Sequence, residues 1–288
     1  MERSIFLRIR RTLRTLGKRR ISQRFTFTDA TILEVYLFAA LCERPVSWAC
    51  EPQHWPRGFR RGQLPSASAV SRRMRTPSVD RLLERLRRKL ESHHSHELIA
   101  IVDGKALPIG PHSHDKQSGY GRAASGKARG YKLHAITTVC GRVLAWRVTP
   151  MQTSEGTMAR RMLRELDHDG YLLGDANYDL NKLFDAALDR EIQLVTPRRY
   201  GSKCGLGHRR HSPARLRSKD ILEDDATGFG CSLMRSRWAI ERFFGTLSSH
   251  PTGLSHLPNW IRSWRRVHNW VGAKLVIYAA RSALKAEQ

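Results

Sequence analysis

The chain is short of acids. Its 288 residues carry 26 aspartates and glutamates against 51 lysines and arginines, a formal net charge of +25. An excess of that size selects a polyanionic partner, nucleic acid first and an anionic membrane surface second. Cysteine is also scarce. Residues 42, 50, 140, 204 and 231 are odd in number and scattered, which argues against a disulfide framework and fits a reducing, cytoplasmic setting. No long hydrophobic run is present either. The most apolar stretch, Ile32 to Cys42, is interrupted by Glu34 and is too short to span a bilayer, so a membrane role is not expected. Met1 to Arg24 does not read as a secretory signal, because basic residues recur throughout it. No internal repeat is found.

Two acids stand out by position. Leu98-Ile99-Ala100-Ile101-Val102 is an uninterrupted apolar run that ends in Asp103, and Tyr171-Leu172-Leu173-Gly174 ends in Asp175 in the same way. Short apolar runs of this kind predict strands buried on both faces. A carboxylate at the emerging end needs a hydrogen-bond network, a basic partner or a metal to offset its charge. A lone strand-end Asp usually caps a turn; two of them suggest a site.

Before Leu98 the pattern is helical. The basic arm from Arg3 to Arg24 reads either as a solvated face or as an arm along phosphates. Thr28 or Asp29 then caps an apolar helix with Ile32, Leu33, Leu37 and Leu41, which is core. Ser66 opens a short helix whose basic end, Arg72, Arg73 and Arg75, suits DNA contact or dipole compensation. Leu82, Leu83, Leu86 and Leu90 recur at helical spacing from Ser78 to Glu91. His93, His94 and His96 fall in a polar linker rather than a zinc site, which usually recruits cysteine.

From Leu98 onward the elements alternate. A glycine-rich loop, Gly110 to Gly130, leads into a predicted hairpin of Tyr131–Val139 and Val143–Thr149. A helix over about 155–168, the strand ending at Asp175, a helix capped by Asp179 and a strand at Ile192–Thr196 follow. This order predicts an α/β layer with a mixed sheet. Residues 197–219 then bring Arg198, Arg199, Arg209 and Arg210 among others and no acid, a basic loop suited to a polyanion. Cys204, His208 and His211 in it lack a fourth metal ligand. A third acid, Glu241, lies on a helix one turn after Arg237, where an isolated pair would be an ordinary surface ion pair. The last helix, about 259–286, carries an aromatic and aliphatic stripe and is expected to close the sheet.

The set Ile101-Val102-Asp103-Gly104, Gly130-Tyr131-Lys132-Leu133-His134, Gly174-Asp175-Ala176-Asn177-Tyr178-Asp179 and Arg237-Trp238-Ala239-Ile240-Glu241-Arg242-Phe243-Phe244-Gly245 resembles the DDE transposases of bacterial insertion sequences. All four motifs occur in the family's order between Leu98 and Gly245, and the Ser66 helix resembles the DNA-binding part of such proteins. The resemblance implies a ribonuclease H-like mixed sheet flanked by helices over 96–288, with a basic insertion at about 197–230. A small basic helical DNA-binding domain over 1–95 would precede it. It further implies Asp103, Asp175 and Glu241 as catalytic acids and ligands of Mg²⁺, with Mn²⁺ as a substitute, in two-metal phosphoryl transfer. Lys132, His134 and Arg237 are then candidates for phosphate contact.

The partners implied are terminal inverted repeats, target DNA and a second copy of the chain, in a bacterial, nucleoid-associated setting. Many relatives carry a Tyr three residues before the Arg and a Lys seven after the Glu; Met234 and Ser248 stand there instead. A metal-dependent nuclease of the same fold and a non-catalytic DNA-binding protein remain the alternatives.

Overall fold

The basic N-terminal arm is a helix with a buried stripe. In the computed structural model, which describes residues 2–16, 26–59, 62–92, 97–110, 112–124, 126–200, 211–224 and 226–287, α1 (Glu2–Leu16) buries Ile5, Phe6, Ile9 and Leu13. Its Arg10 pairs with Glu34 at 2.8 Å, so the acid that interrupts the most apolar stretch is neutralised inside the fold. That stretch is α2 (Asp29–Leu41), capped by the Thr28 hydroxyl accepting from the Thr31 N–H. It is buried on every face from Ile32 to Leu41. A short helix α3 (Val46–Ala49) follows. Next come α4 (Ala67–Arg73), capped by Ser66, and α5 (Pro77–Leu90).

The sheet opens with β1 (Ile99–Pro108), β2 (Gly119–Ala123), β3 (Gly126–Thr138) and β4 (Val143–Pro150). After α6 (Glu155–Leu163) come β5 (Gly170–Leu173), α7 (Asn181–Leu188) and β6 (Ile192–Val195). Three helices follow, α8 (Pro213–Glu223), α9 (Phe229–Arg235) and α10 (Trp238–Ser248). α11 (Trp264–Ala286) is the last.

Strand β3 pairs antiparallel with β1, β2 and β4, while β5 runs parallel to β1 and β6 parallel to β5. An antiparallel meander beside helix-linked parallel strands is the mixed sheet expected of a ribonuclease H-like fold. Met158, Met162 and Leu163 of α6 and Leu183, Phe184 and Ala187 of α7 pack with Val102, Ile136, Leu172 and Leu194 of the sheet.

Several expectations need correction. Asp103 is not at the end of its strand: β1 continues five residues further, to Pro108, because β3 supplies a ladder from Ala100↔Thr138 to Pro108↔Gly130. The loop expected over 110–130 contains β2 and the start of β3. Asp179 does not cap α7, whose cap position is Leu180. The basic segment after Pro197 is not all loop, since α8 begins at Pro213; Cys204, His208, Arg209 and Arg210 lie outside the described residues, as do His93, His94 and His96.

The chain divides into two compact units. One is residues 95–245, which holds the sheet; the other joins 1–94 with 246–288. Helix α11, expected as a lid on the sheet, is therefore part of the helical unit, where it packs against α1, α2 and α5. Its fully buried Lys274 donates to the Ala40 carbonyl near the end of α2 at 2.9 Å and to Glu43 at 3.0 Å. No helix among the described residues is long and apolar enough to cross a membrane.

Candidate active site

Parallel pairing of β1 with β5 brings the first two acids together. The register sets Ile101 opposite Leu173, and continuing it by two residues sets Asp103 beside Asp175, with the same side-chain parity. Asp175 heads a single 3-10 turn, Ala176–Tyr178. Its carboxylate accepts the Asn177 backbone N–H at 2.9 Å and the Asn177 side-chain amide at 3.1 Å. Asp103 accepts the Gly104 N–H at 2.7 Å through one oxygen. Burial, then the charges of Asp175 and Glu155, push its carboxyl up to about 6 against the opposing pull of Gly104 N–H and Arg237.

That shift fixes the sign of a pH effect. An unfolded Asp releases its proton near 3.8, the folded Asp103 near 6, so the folded chain binds more protons between those values. The stabilising contribution is complete below 3.8 and is lost as the pH rises through about 6, a change on the order of 3 kcal/mol. Urea unfolding of the metal-free protein at pH 4, 5, 6 and 7 is expected to show this loss, and Asp103→Asn to remove it. An Asn variant with the wild-type slope would contradict the assignment.

Glu155 is a member of the cluster that sequence reasoning missed. It stands in the first turn of α6, where an acid ordinarily compensates the helix dipole, and nothing in the local sequence sets it apart. In the fold it accepts from Lys132 Nζ at 2.7 Å. Lys132, a candidate for phosphate contact, is thus already neutralised by a carboxylate. His134 is withdrawn from the surface: it is buried, meets the Thr149 hydroxyl at 2.9 Å, and is pushed down to about 4 by burial and by the Lys132 charge. Its ring is neutral near pH 7 and offers a phosphate no cation.

Arg237 stands between the second and third acids. Its charge acts on Asp103, while its Nη2 donates to Glu241 Oε1 at 3.4 Å. Glu241 lies in the first turn of α10, is exposed, and is not among the charges that shift Asp103. The structure therefore joins Asp103 and Asp175 and leaves Glu241 one arginine away; no three acids, histidines or cysteines among the described residues stand close enough to hold one ion.

The donor set nevertheless fits a hard cation. Asp103 has one oxygen without a hydrogen bond, like charges crowd it, and the buried Tyr178 hydroxyl beside the cluster has no hydrogen-bond partner. Uncompensated carboxylate charge of this kind suits Mg²⁺ or Mn²⁺.

An open groove of about 800 Å³ adjoins the acids. Gly104, Ala106 and Gly121 line it together with Arg122, Lys132, Glu155, Asn177 and Arg199. The Arg199 backbone N–H donates to Asp179 at 3.0 Å. Asp179 also takes Arg215 of α8 in a two-pronged pair, Nε at 2.6 Å and Nη2 at 2.8 Å. Arg198 faces Glu223 at 4.0 Å. In the helical unit Arg72 and Arg75 are exposed at the end of α4, whereas Arg73 is half-buried, paired with Asp29 and bonded to the Phe27 carbonyl.

A family model described as the transposase DDE domain matches residues 94–279. A search of curated proteins finds no match. Among solved structures the chain is similar to a piggyBac transposase synaptic complex with hairpin DNA, at 9% identity and a TM-score of 0.46, over 98% of this chain and 73% of that one.

Proposed function

We propose, from the premise that this chain belongs to the transposase DDE domain family, that it cuts DNA at the terminal inverted repeats of an insertion sequence and joins the freed 3′ hydroxyl to target DNA. The observation that carries the reading is the pairing of Asp103 and Asp175 on adjacent parallel strands, with Asp103 raised to about 6 by burial and like charge. Groups perturbed in this way mark reactive sites more often than structural ones. Asp103 and Asp175 would hold Mg²⁺, with Glu241 as the third ligand. The metal, when bound, supplies an activated water and a counter-charge for the leaving oxygen.

The chain's own groups do the rest. Asn177 and the Gly104 N–H fix the orientation of the two aspartates. Arg237 neutralises the space between Asp103 and Glu241. The groove beside the acids gives a DNA strand a floor of small residues, with Arg122 and Arg199 placed for its phosphates. The net charge of +25 draws the polyanion in. Joining two element ends calls for two copies of the chain on the DNA.

The test is an incubation of the full chain with Mg²⁺, labelled DNA carrying the inverted repeats, and a target plasmid. The expected product is labelled strand joined to plasmid. Cleavage without joining would reassign the chain as a nuclease, and binding with neither reaction would leave a non-catalytic DNA-binding protein.

A further inference from the structure

Tyr178 carries a hydroxyl that packing does not explain. Its ring is fully buried among Val102, Met158, Leu172 and Phe184, and lies against Gly174, where an added Cβ would meet it at 3.0 Å. A phenylalanine would fill that space equally well. The oxygen, by contrast, is buried with no hydrogen-bond partner among the described residues. Burying an unpaired hydroxyl is destabilising, so a fold that keeps one is expected to use it in another state.

The surroundings say which state. Burial, then the charges of Asp103, Glu155 and Asp175, hold the phenol's ionisation well above its ordinary range, so the group keeps its proton and is a donor facing acceptors. Asp103 acts on it most strongly of the three. One Asp103 oxygen accepts the Gly104 N–H and the other has no hydrogen bond, whereas both Asp175 oxygens are already engaged by Asn177.

We infer that Tyr178 is a positioning residue for Asp103: once a divalent cation is bound, its hydroxyl donates to the free oxygen of Asp103 and fixes the carboxylate toward the metal. The inference rests on the metal-ligand reading given under Proposed function. It assigns Tyr178 no contact with DNA and no part in proton transfer to the reacting atoms. The role is that of the outer hydrogen bonds which orient metal-binding carboxylates, whose loss commonly weakens metal affinity about 10–100-fold.

Tyr178→Phe separates this role from a structural one, because the two readouts move in opposite senses. Mn²⁺ binding to the full chain, followed by calorimetry without DNA, is expected to weaken about 10-fold or more in the variant. The metal-free protein is expected to keep its Tm or gain about 2–4 °C, since an unpaired buried hydroxyl has been removed. Equal Mn²⁺ affinity in the two proteins would overturn the role of Tyr178 while leaving the metal site intact. A fall of several degrees in the metal-free Tm would overturn it too, by showing that the hydroxyl is already bonded within the fold. If the wild-type chain bound no Mn²⁺, the metal-ligand reading itself would fall, and the inference with it.

Discussion

Asp103→Asn and Asp175→Asn each lower Mg²⁺-dependent cleavage of DNA ends on the order of 10³-fold or more, while both variants bind the same DNA at least as tightly as wild type in the absence of metal. The first half follows from the donor set. An amide presents a neutral oxygen where a hard cation needs a charged one, and the transition-state stabilisation at stake is several kcal/mol. The second half follows from the crowding. Asp103, Asp175 and Glu155 already oppose one another, so removing one negative charge next to a phosphate-binding groove lowers a repulsion. Gel assays of cleavage in Mg²⁺ and of binding in chelator measure the two effects separately. Cleavage surviving in either variant would sink the assignment of the acids. Loss of binding without metal would point to a damaged fold instead.

Asp179→Asn is expected to destabilise the protein by about 3 kcal/mol or more in urea unfolding at pH 7, the usual cost of breaking a buried ion pair from one side. The carboxylate is buried, and the variant leaves the Arg215 guanidinium without its counter-charge. Burial would raise this carboxyl, but the Arg215 and Arg199 hydrogen bonds and the charges of Arg215 and Arg198 outweigh it and hold it below its ordinary range. Its contribution to stability is therefore present above that range and lost as the pH falls through the lowered value. That is opposite in sign to the Asp103 effect, so acid titration of the two single variants distinguishes them. A loss below about 1 kcal/mol for Asp179→Asn would mean that α8 is held by something other than this pair. Because Asp179 follows the turn headed by Asp175, a decline in cleavage alongside stability is the expected companion result.

The features legible in the sequence were those written in local apolar pattern. Leu98–Val102 and Tyr171–Leu173 announce strands because nothing polar interrupts them, and their register then places Asp103 and Asp175 together without further information. The features that were not legible depend on partners distant in the chain. Gly104, Lys105 and Pro108 look like the end of a strand, yet β1 runs through them because the long β3 ladder satisfies their backbone. Gly130 looks like loop for the same reason. It is glycine because β1 passes so close that a Cβ there would lie 2.3 Å from the Leu107 carbonyl oxygen. Glu155 escaped notice because a first-turn glutamate is ordinary, and only the fold sets it across from Lys132 and Asp103. The stripe on α11 predicted a packed face correctly and could not say what it packs against.

The helical unit is assembled from the two ends of the chain, with residues 95–245 inserted between its parts. During synthesis α1, α2 and α5 therefore leave the ribosome well before α11, which covers them. At about 5–20 residues per second the interval is roughly 8–30 s, time enough for the inserted sheet to fold first. Ile5, Phe6 and the apolar length of α2 stay uncovered in the interval, a nascent surface suited to chaperone capture.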